Sequence, residues 1–317
     1  VTGRTALQRP ARPRQAIDAW TSRDLLAALL IVIVWGMNFV AMKFALGHFT
    51  PFELGAARYL FAAFPLVLVV RPPRVALKFV LLYGLLQGVG QFGLLFTAIK
   101  FGMSTSLASV LMQIQVFVTA LLGVLLLNER LAPALRVGLV LAAIALGCFS
   151  MTYLLGPTYA GWLSFILNLA AASMWAASNV VARFAQRSSP NYDALAFVVW
   201  CSLVPIGPFI LLSLLFDPAS SRGGWHHAPL STWAAVAYLG WMATVLAYGM
   251  WTWLLKRHAA SRVAPFSLGV PVVGLAAGML LMGETIDLWQ GIGIVLVFAA
   301  LVCVLLGPSL VKLRQRA

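Results

Sequence analysis

The chain has 317 residues, 62% of them hydrophobic and 9% charged, with a net charge of +14. A soluble domain carries roughly 25% charged residues, so this composition excludes a water-soluble fold and makes lipid the solvent for most of the surface. Nucleic acid is excluded as a partner as well, because Lys and Arg sit in short clusters between apolar runs rather than along one face.

Residues 1–23 are polar and rich in Arg and Pro, the composition of a disordered basic tail. The next apolar run is too long for a signal-peptide core and lacks a small-residue cleavage site, which predicts a retained first helix. A helix that crosses a bilayer needs about 20 apolar residues. Ten runs approach that length, at 24–46, 51–70, 76–99, 104–127, 132–154, 160–185, 192–216, 231–255, 262–283 and 286–307. Pro51, Pro72, Pro133, Pro157, Pro190, Pro218 and Pro229 stand at or beside the breaks, where a missing N–H costs least. Pro65, Pro205, Pro208, Pro265 and Pro271 fall inside runs and predict kinks. Cys148, Cys201 and Cys303 lie within apolar runs and read as small buried hydrophobes, without a disulfide or metal pattern.

The basic residues orient the chain. Arg71, Arg74 and Lys78, then Arg130 and Arg136, then Arg183 and Arg187, then Lys256, Arg257 and Arg262 occupy alternate connections, and both tails are basic. The other connections hold Lys43, Lys100 and Arg222. Eighteen cations against three place both termini in the cytoplasm and require an even number of crossings.

The chain also repeats itself. Trp35, Gly36, Lys43 and Phe44 align with Trp175, Ala176, Arg183 and Phe184, and Gly123, Glu129 and Gly138 align with Gly278, Glu284 and Gly293. The expected fold is therefore an all-α membrane protein of ten transmembrane helices, built as two five-helix repeats over 24–155 and 156–307, with a basic tail at 308–317. Five is odd, so the halves must be inverted, an arrangement that supports alternating access around a midplane site.

A polar side chain within hydrocarbon must find a partner or face water, so each is a candidate for the site. Trp35 and Asn38 lie a turn apart in the first run, and Trp175 and Asn179 share a face in the sixth. Gln87 and Gln91 share a face in the third run, among glycines. Gln113 and Gln115 in the fourth are about 200° apart on a regular helix, so they should not both face one cavity; Gln113 is favoured, and both are kept as candidates. In the eighth run Tyr248 is the deep aromatic candidate, whereas Trp251 and Trp253 suit an interfacial belt. The plain alternative for all of these is interhelical hydrogen bonding, worth about 0.6 kcal/mol each. Arg58, Glu129 and Glu284 are expected to be structural, with Arg58 paired to Glu53 rather than snorkelling or holding an anion. Four histidines near loops, no nucleophile–base constellation and no P-loop leave no enzymatic reading and no cofactor or metal.

Several strings resemble the EamA-type branch of the drug/metabolite transporter superfamily. They are Val34 to Val40, Asn128 to Leu131, and Gly283 with Glu284, within a likeness that spans roughly 24–307. Gln113 to Phe117, Ala98 to Met103, Arg262 to Pro265 and Val270 to Leu275 are similar to members of that family that export O-acetylserine and cysteine. The resemblance implies a bacterial inner-membrane exporter of small amino acids or their derivatives, with a cavity lined by helices of both halves and only substrate and lipid as partners. Another cargo in the same fold (an aromatic amino acid, a nucleobase, a cationic drug) and a non-transporting scaffold or receptor are the rival readings.

Overall fold

The structure is a computed structural model that describes residues 21–127, 133–155, 159–258 and 263–314. Its elements are α1 (Ser22–Ala45), α2 (Pro51–Ala63), α3 (Leu77–Lys100), α4 (Thr105–Leu126), α5 (Pro133–Leu155), α6 (Tyr159–Ser188), α7 (Ala194–Phe216), α8 (Leu230–Leu254, helical to Arg257), α9 (Gly269–Met282) and α10 (Leu288–Arg314). Among the described residues every regular element is helical.

Among the described residues seven helices are long and apolar enough by themselves to cross a membrane, and Phe266–Met282 and Leu288–Val304 are shorter apolar helices. The run expected over 51–70 stops at Ala63, because Pro65 has no N–H to extend the ladder, and only a 3-10 turn, Leu66–Leu68, follows. The run at 262–283 begins with a 3-10 turn, Ala264–Leu268, so α9 keeps 14 residues. The break expected at Pro205 is present, splitting α7 between Cys201 and Ile206. The three cysteines are unbridged, with Cys201 buried and Cys148 and Cys303 partly so.

Helix starts are fixed by side chains the sequence supplies. Thr21 with Asp24 and Thr50 with Glu53 form reciprocal capping boxes, and Asp193 accepts from the N–H groups of Leu195 and Ala196. These caps also tie helices together. The Thr50 hydroxyl donates to Asp217 at 2.6 Å, and Glu53 accepts from the Gly223 N–H at 2.7 Å. Lys100 donates to the Leu46 carbonyl. Thus α1, α3, α7 and α9 end on the face where α2 and α4 begin, and on the opposite face Asp24 of α1 meets Arg257 at the end of α8, at 3.1 Å.

A close joint lies between α1, α4 and α9. A Cβ at Gly36 would strike Val273, one at Gly274 would strike Ser109, and one at Gly278 would strike Ser106, so these glycines let the helices approach. After α9, Gly283 adopts the left-handed conformation (φ 64°), and Glu284 then lies against the first turn of α4. Its carboxylate accepts from the N–H groups of Thr105 and Ser106 at 2.7 and 2.8 Å, from the Thr105 hydroxyl at 3.0 Å and from Lys43 at 2.8 Å. Glu284 thus ties the end of α9 to α1 and to the start of α4. Glu129, which aligns with it in the sequence, the 128–131 string and Arg262 lie outside the described residues.

Burial alone would push the Glu284 carboxyl up; the Lys43 ammonium and the α4 N–H groups outweigh it and hold the group at about 2, below its ordinary 4.5. The folded protein thus favours the ionised form, and this contribution is complete above about pH 4.5 and lost as pH falls toward 2. Glu284→Gln is expected to lower stability by about 2 kcal/mol at pH 7. In thermal unfolding of purified protein the gap from wild type should narrow as pH drops from 5 to 3; a gap that stays constant over that range contradicts the assignment.

Candidate functional site

The centre of the molecule holds a cavity of about 300 Å³ whose walls come from α1, α2, α3, α4, α6, α8 and α9. That volume is at the small end of the range for ligand pockets. Two local features of the helices shape it. In α3 and α8 the ladder widens into π-helical turns, Gly84–Phe92 and Tyr238–Leu246. Such turns recur at functional sites because they re-aim side chains and free carbonyls. In α8 the Ala243 carbonyl accepts the indole N–H of Trp35 at 3.0 Å, and Gly240 lets α8 press against the α2 backbone at Arg58 and Ala62.

The second feature is a break in α4 between Leu111 and Ile114. There the bonds shorten to i→i+3, from Gln113 N–H to Val110, from Gln115 N–H to Met112, and from Val116 N–H to Gln113. The regular 100° step no longer holds. Gln113 and Gln115 therefore both line the cavity, correcting the expectation that one would turn away.

Of the residues singled out from sequence, Trp35, Asn38, Gln91, Gln113, Gln115, Trp175, Asn179 and Tyr248 come together on the cavity wall. Gln87 does not. It lines a smaller space beside the cavity and donates to the Tyr248 hydroxyl at 2.7 Å, which fixes that phenol from behind. The amide of Asn179 donates to Gln115 at 2.9 Å and to Thr119 at 3.3 Å, linking α6 to α4. On the aromatic side Trp35 packs edge-on to Tyr248, with centroids 5.2 Å apart, and lies 5.5 Å from Trp251. Trp251, which shares a helix face with Thr244 and Tyr248, thus lines the cavity as well. Trp253 is exposed and sits under Arg257.

Arg58 is the larger departure. It does not pair with Glu53, whose carboxylate is taken by the α2 cap and by Gly223. It is 2% exposed, reaches the cavity, donates to Asn38 at 3.4 Å and to Thr244 at 3.1 Å, and lies over the Phe92 ring at 3.8 Å. The sequence signal was a cation well inside an apolar run, but the capping box that occupies Glu53 is legible only at Thr50. Phe39, Phe92, Leu95, Met112, Ser267 and Val270 also contribute wall, and as ordinary apolar or small positions they carried no sequence signal.

A polytopic helical protein with a polar and aromatic cavity at its centre has the build of a membrane transporter. The profile of the EamA-like transporter family matches residues 23–151 and again residues 162–306. The chain belongs to that family. It is 42% identical over 280 residues to a "Probable amino-acid metabolite efflux pump" of Salmonella typhimurium, covering 88% of this chain and 93% of that one. It is 39% identical to a protein of the same description in Escherichia coli K12, with the same coverage, and 24% identical to an "Uncharacterized transporter" of Archaeoglobus fulgidus over 82% of this chain and 90% of the other. A crystal structure superposes with a TM-score of 0.59 at 19% identity, covering 94% of this chain and all of its own, which speaks to fold alone.

A wet cavity makes its wall accessible to reagents. With the three native cysteines replaced, Gln91→Cys and Gln115→Cys should react with a small water-soluble thiol reagent at least about ten times faster than Ala171→Cys, whose position is fully buried. Equal rates at the three positions would mean that the cavity excludes water.

Proposed function

We propose that the chain exports small amino acids or their derivatives, of the cysteine and O-acetylserine class, across a bacterial inner membrane by alternating access. The observation that carries this reading is the small central cavity lined by carboxamides and indoles. A zwitterion needs hydrogen-bond donors for its carboxylate and acceptors for its ammonium. Carboxamides supply both, and the faces of Trp35, Trp175, Tyr248 and Trp251 favour a cation. The printed descriptions of the Salmonella and Escherichia relatives point to the same cargo class.

The proposed architecture has ten crossings in two inverted five-helix repeats, 24–155 and 156–307, with basic tails 1–23 and 308–317 in the cytoplasm. The doubled family match supports it. So does the recurrence of one irregularity: the π-helical turns of α3 and α8 stand at corresponding places in the two halves, as do the breaks at Pro65 and Pro205. On this reading α2 and α9 cross together with their flanking turns and α10 crosses as the last helix, and the repeats exchange two packings that open the cavity to either side in turn.

The aromatic wall favours a second reading, in which the cargo is an aromatic amino acid. Liposomes loaded with labelled amino acids separate the two. Purified protein should release cysteine or O-acetylserine faster than phenylalanine, and Asn38→Ala should slow release by roughly ten-fold, the cost of one hydrogen bond to a charged group. Unchanged flux in that variant removes Asn38 from the site; release of none of the compounds by folded protein favours a scaffold.

A further inference from the structure

The proposed site leaves one group unexplained, the buried guanidinium of Arg58. Six of the eight Asp and Glu residues are described, and every one is engaged at a helix end. Asp24, Glu53 and Asp193 cap α1, α2 and α7. Asp217 accepts from Thr50, Glu284 holds Lys43 and the start of α4, and Asp287 accepts from the Gln290 N–H. Among the described residues no carboxylate lies within 4.0 Å of Arg58, and its Nε has no acceptor.

The surroundings are organised for an anion. Asn38 turns its carbonyl oxygen to the guanidinium, which leaves its N–H groups for the cavity. The Thr244 hydroxyl donates to the Leu239 carbonyl at 2.9 Å, so its oxygen is fixed as an acceptor for Arg58. Phe92 covers one face of the guanidinium, which directs further binding to its edge, and the edge of a guanidinium matches a carboxylate in a two-pronged pair. Two neutral oxygens and a ring use only part of the donor capacity of the group and only partly replace the water that a buried cation has lost. Gln91 lines the same wall, and its buried Oε1 accepts no hydrogen bond within the protein.

We propose that Arg58 is the anchor for the carboxylate of the cargo, so that the cavity takes zwitterions and small acids and rejects solutes that carry positive charge alone. This rests on the export reading for its setting and deepens it by fixing the charge of the cargo. Asn38 and Thr244 are then positioning residues for the guanidinium, and Asn38 adds a second donor.

Binding tests this apart from transport. The quenching of intrinsic Trp fluorescence is followed as purified protein is titrated with cysteine, O-acetylserine and phenylalanine, and with the methyl ester of each. Wild type should bind at least one free acid ten-fold or more tighter than its ester. Arg58→Gln should erase that preference by weakening the acid while leaving the ester within two-fold, and Arg58→Lys should restore part of it. Acid and ester binding equally to wild type, binding of none of the acids, or Arg58→Gln weakening acid and ester in parallel would each overturn the anchor. The wild-type comparison decides even if Arg58→Gln does not fold. Acid-selective binding without flux in liposomes would defeat the export reading and leave the anchor; flux indifferent to esterification would do the reverse.

Discussion

Three helices meet closely where Gly36 faces Val273 and where Gly274 and Gly278 face Ser109 and Ser106, and one carboxylate locks the joint. Without Cβ atoms there, α1, α4 and α9 can lie close enough for Glu284 to reach both Lys43 and the unsatisfied N–H groups that open α4. This contact sets the rest of the interior. It holds Trp35 and Asn38 of α1, Gln113 of α4 and Val270 of α9 against one space, so that polar groups carried on distant stretches of chain share a single cavity. In hydrocarbon such groups would be costly alone; assembled around water or a ligand they are not.

The remaining walls depend on departures from regular helix. The π-helical turns of α3 and α8 bring Gln87 behind Tyr248 and the Ala243 carbonyl onto Trp35. The break in α4 turns two glutamines inward where a straight helix would turn one. Part of the wall therefore coincides with irregularity: Gln91, Phe92, Met112, Gln113 and Ala243 lie where the hydrogen-bond ladder changes register, whereas Trp35, Asn38, Arg58, Trp175 and Asn179 are carried by regular helix. Membership of the EamA-like transporter family fits a chain organised this way, since a transporter must place polar chemistry at mid-membrane without exposing it to lipid.

Much of this was readable from sequence, and the reasons differ by residue. Trp35, Asn38, Trp175 and Asn179 were legible because polar and aromatic groups in an apolar run stand out, and helical spacing put each pair on one face. The caps at Thr21 and Thr50 follow the capping-box pattern. What escaped was whatever periodicity assumes away. The phase shift at Gln113 and Gln115 needed a backbone break, and the length of α2 was overestimated because hydropathy continues past Pro65 while the helix does not. Arg58 was misread for a different reason. Proximity in sequence suggested Glu53, but that carboxylate was already committed to its own helix start, and partners on Asn38 and Thr244 come from distant parts of the chain.

The account stands on the cavity being the place where cargo binds. A structure determined with a bound amino acid tests this most directly. The account predicts the ligand in the central cavity, its carboxylate within hydrogen-bond distance of the Arg58 guanidinium and its ammonium against the Trp35 and Tyr248 side. A ligand seated elsewhere, for example in the apolar groove between Phe49, Phe61 and Trp233, with the central cavity unfilled, would contradict it.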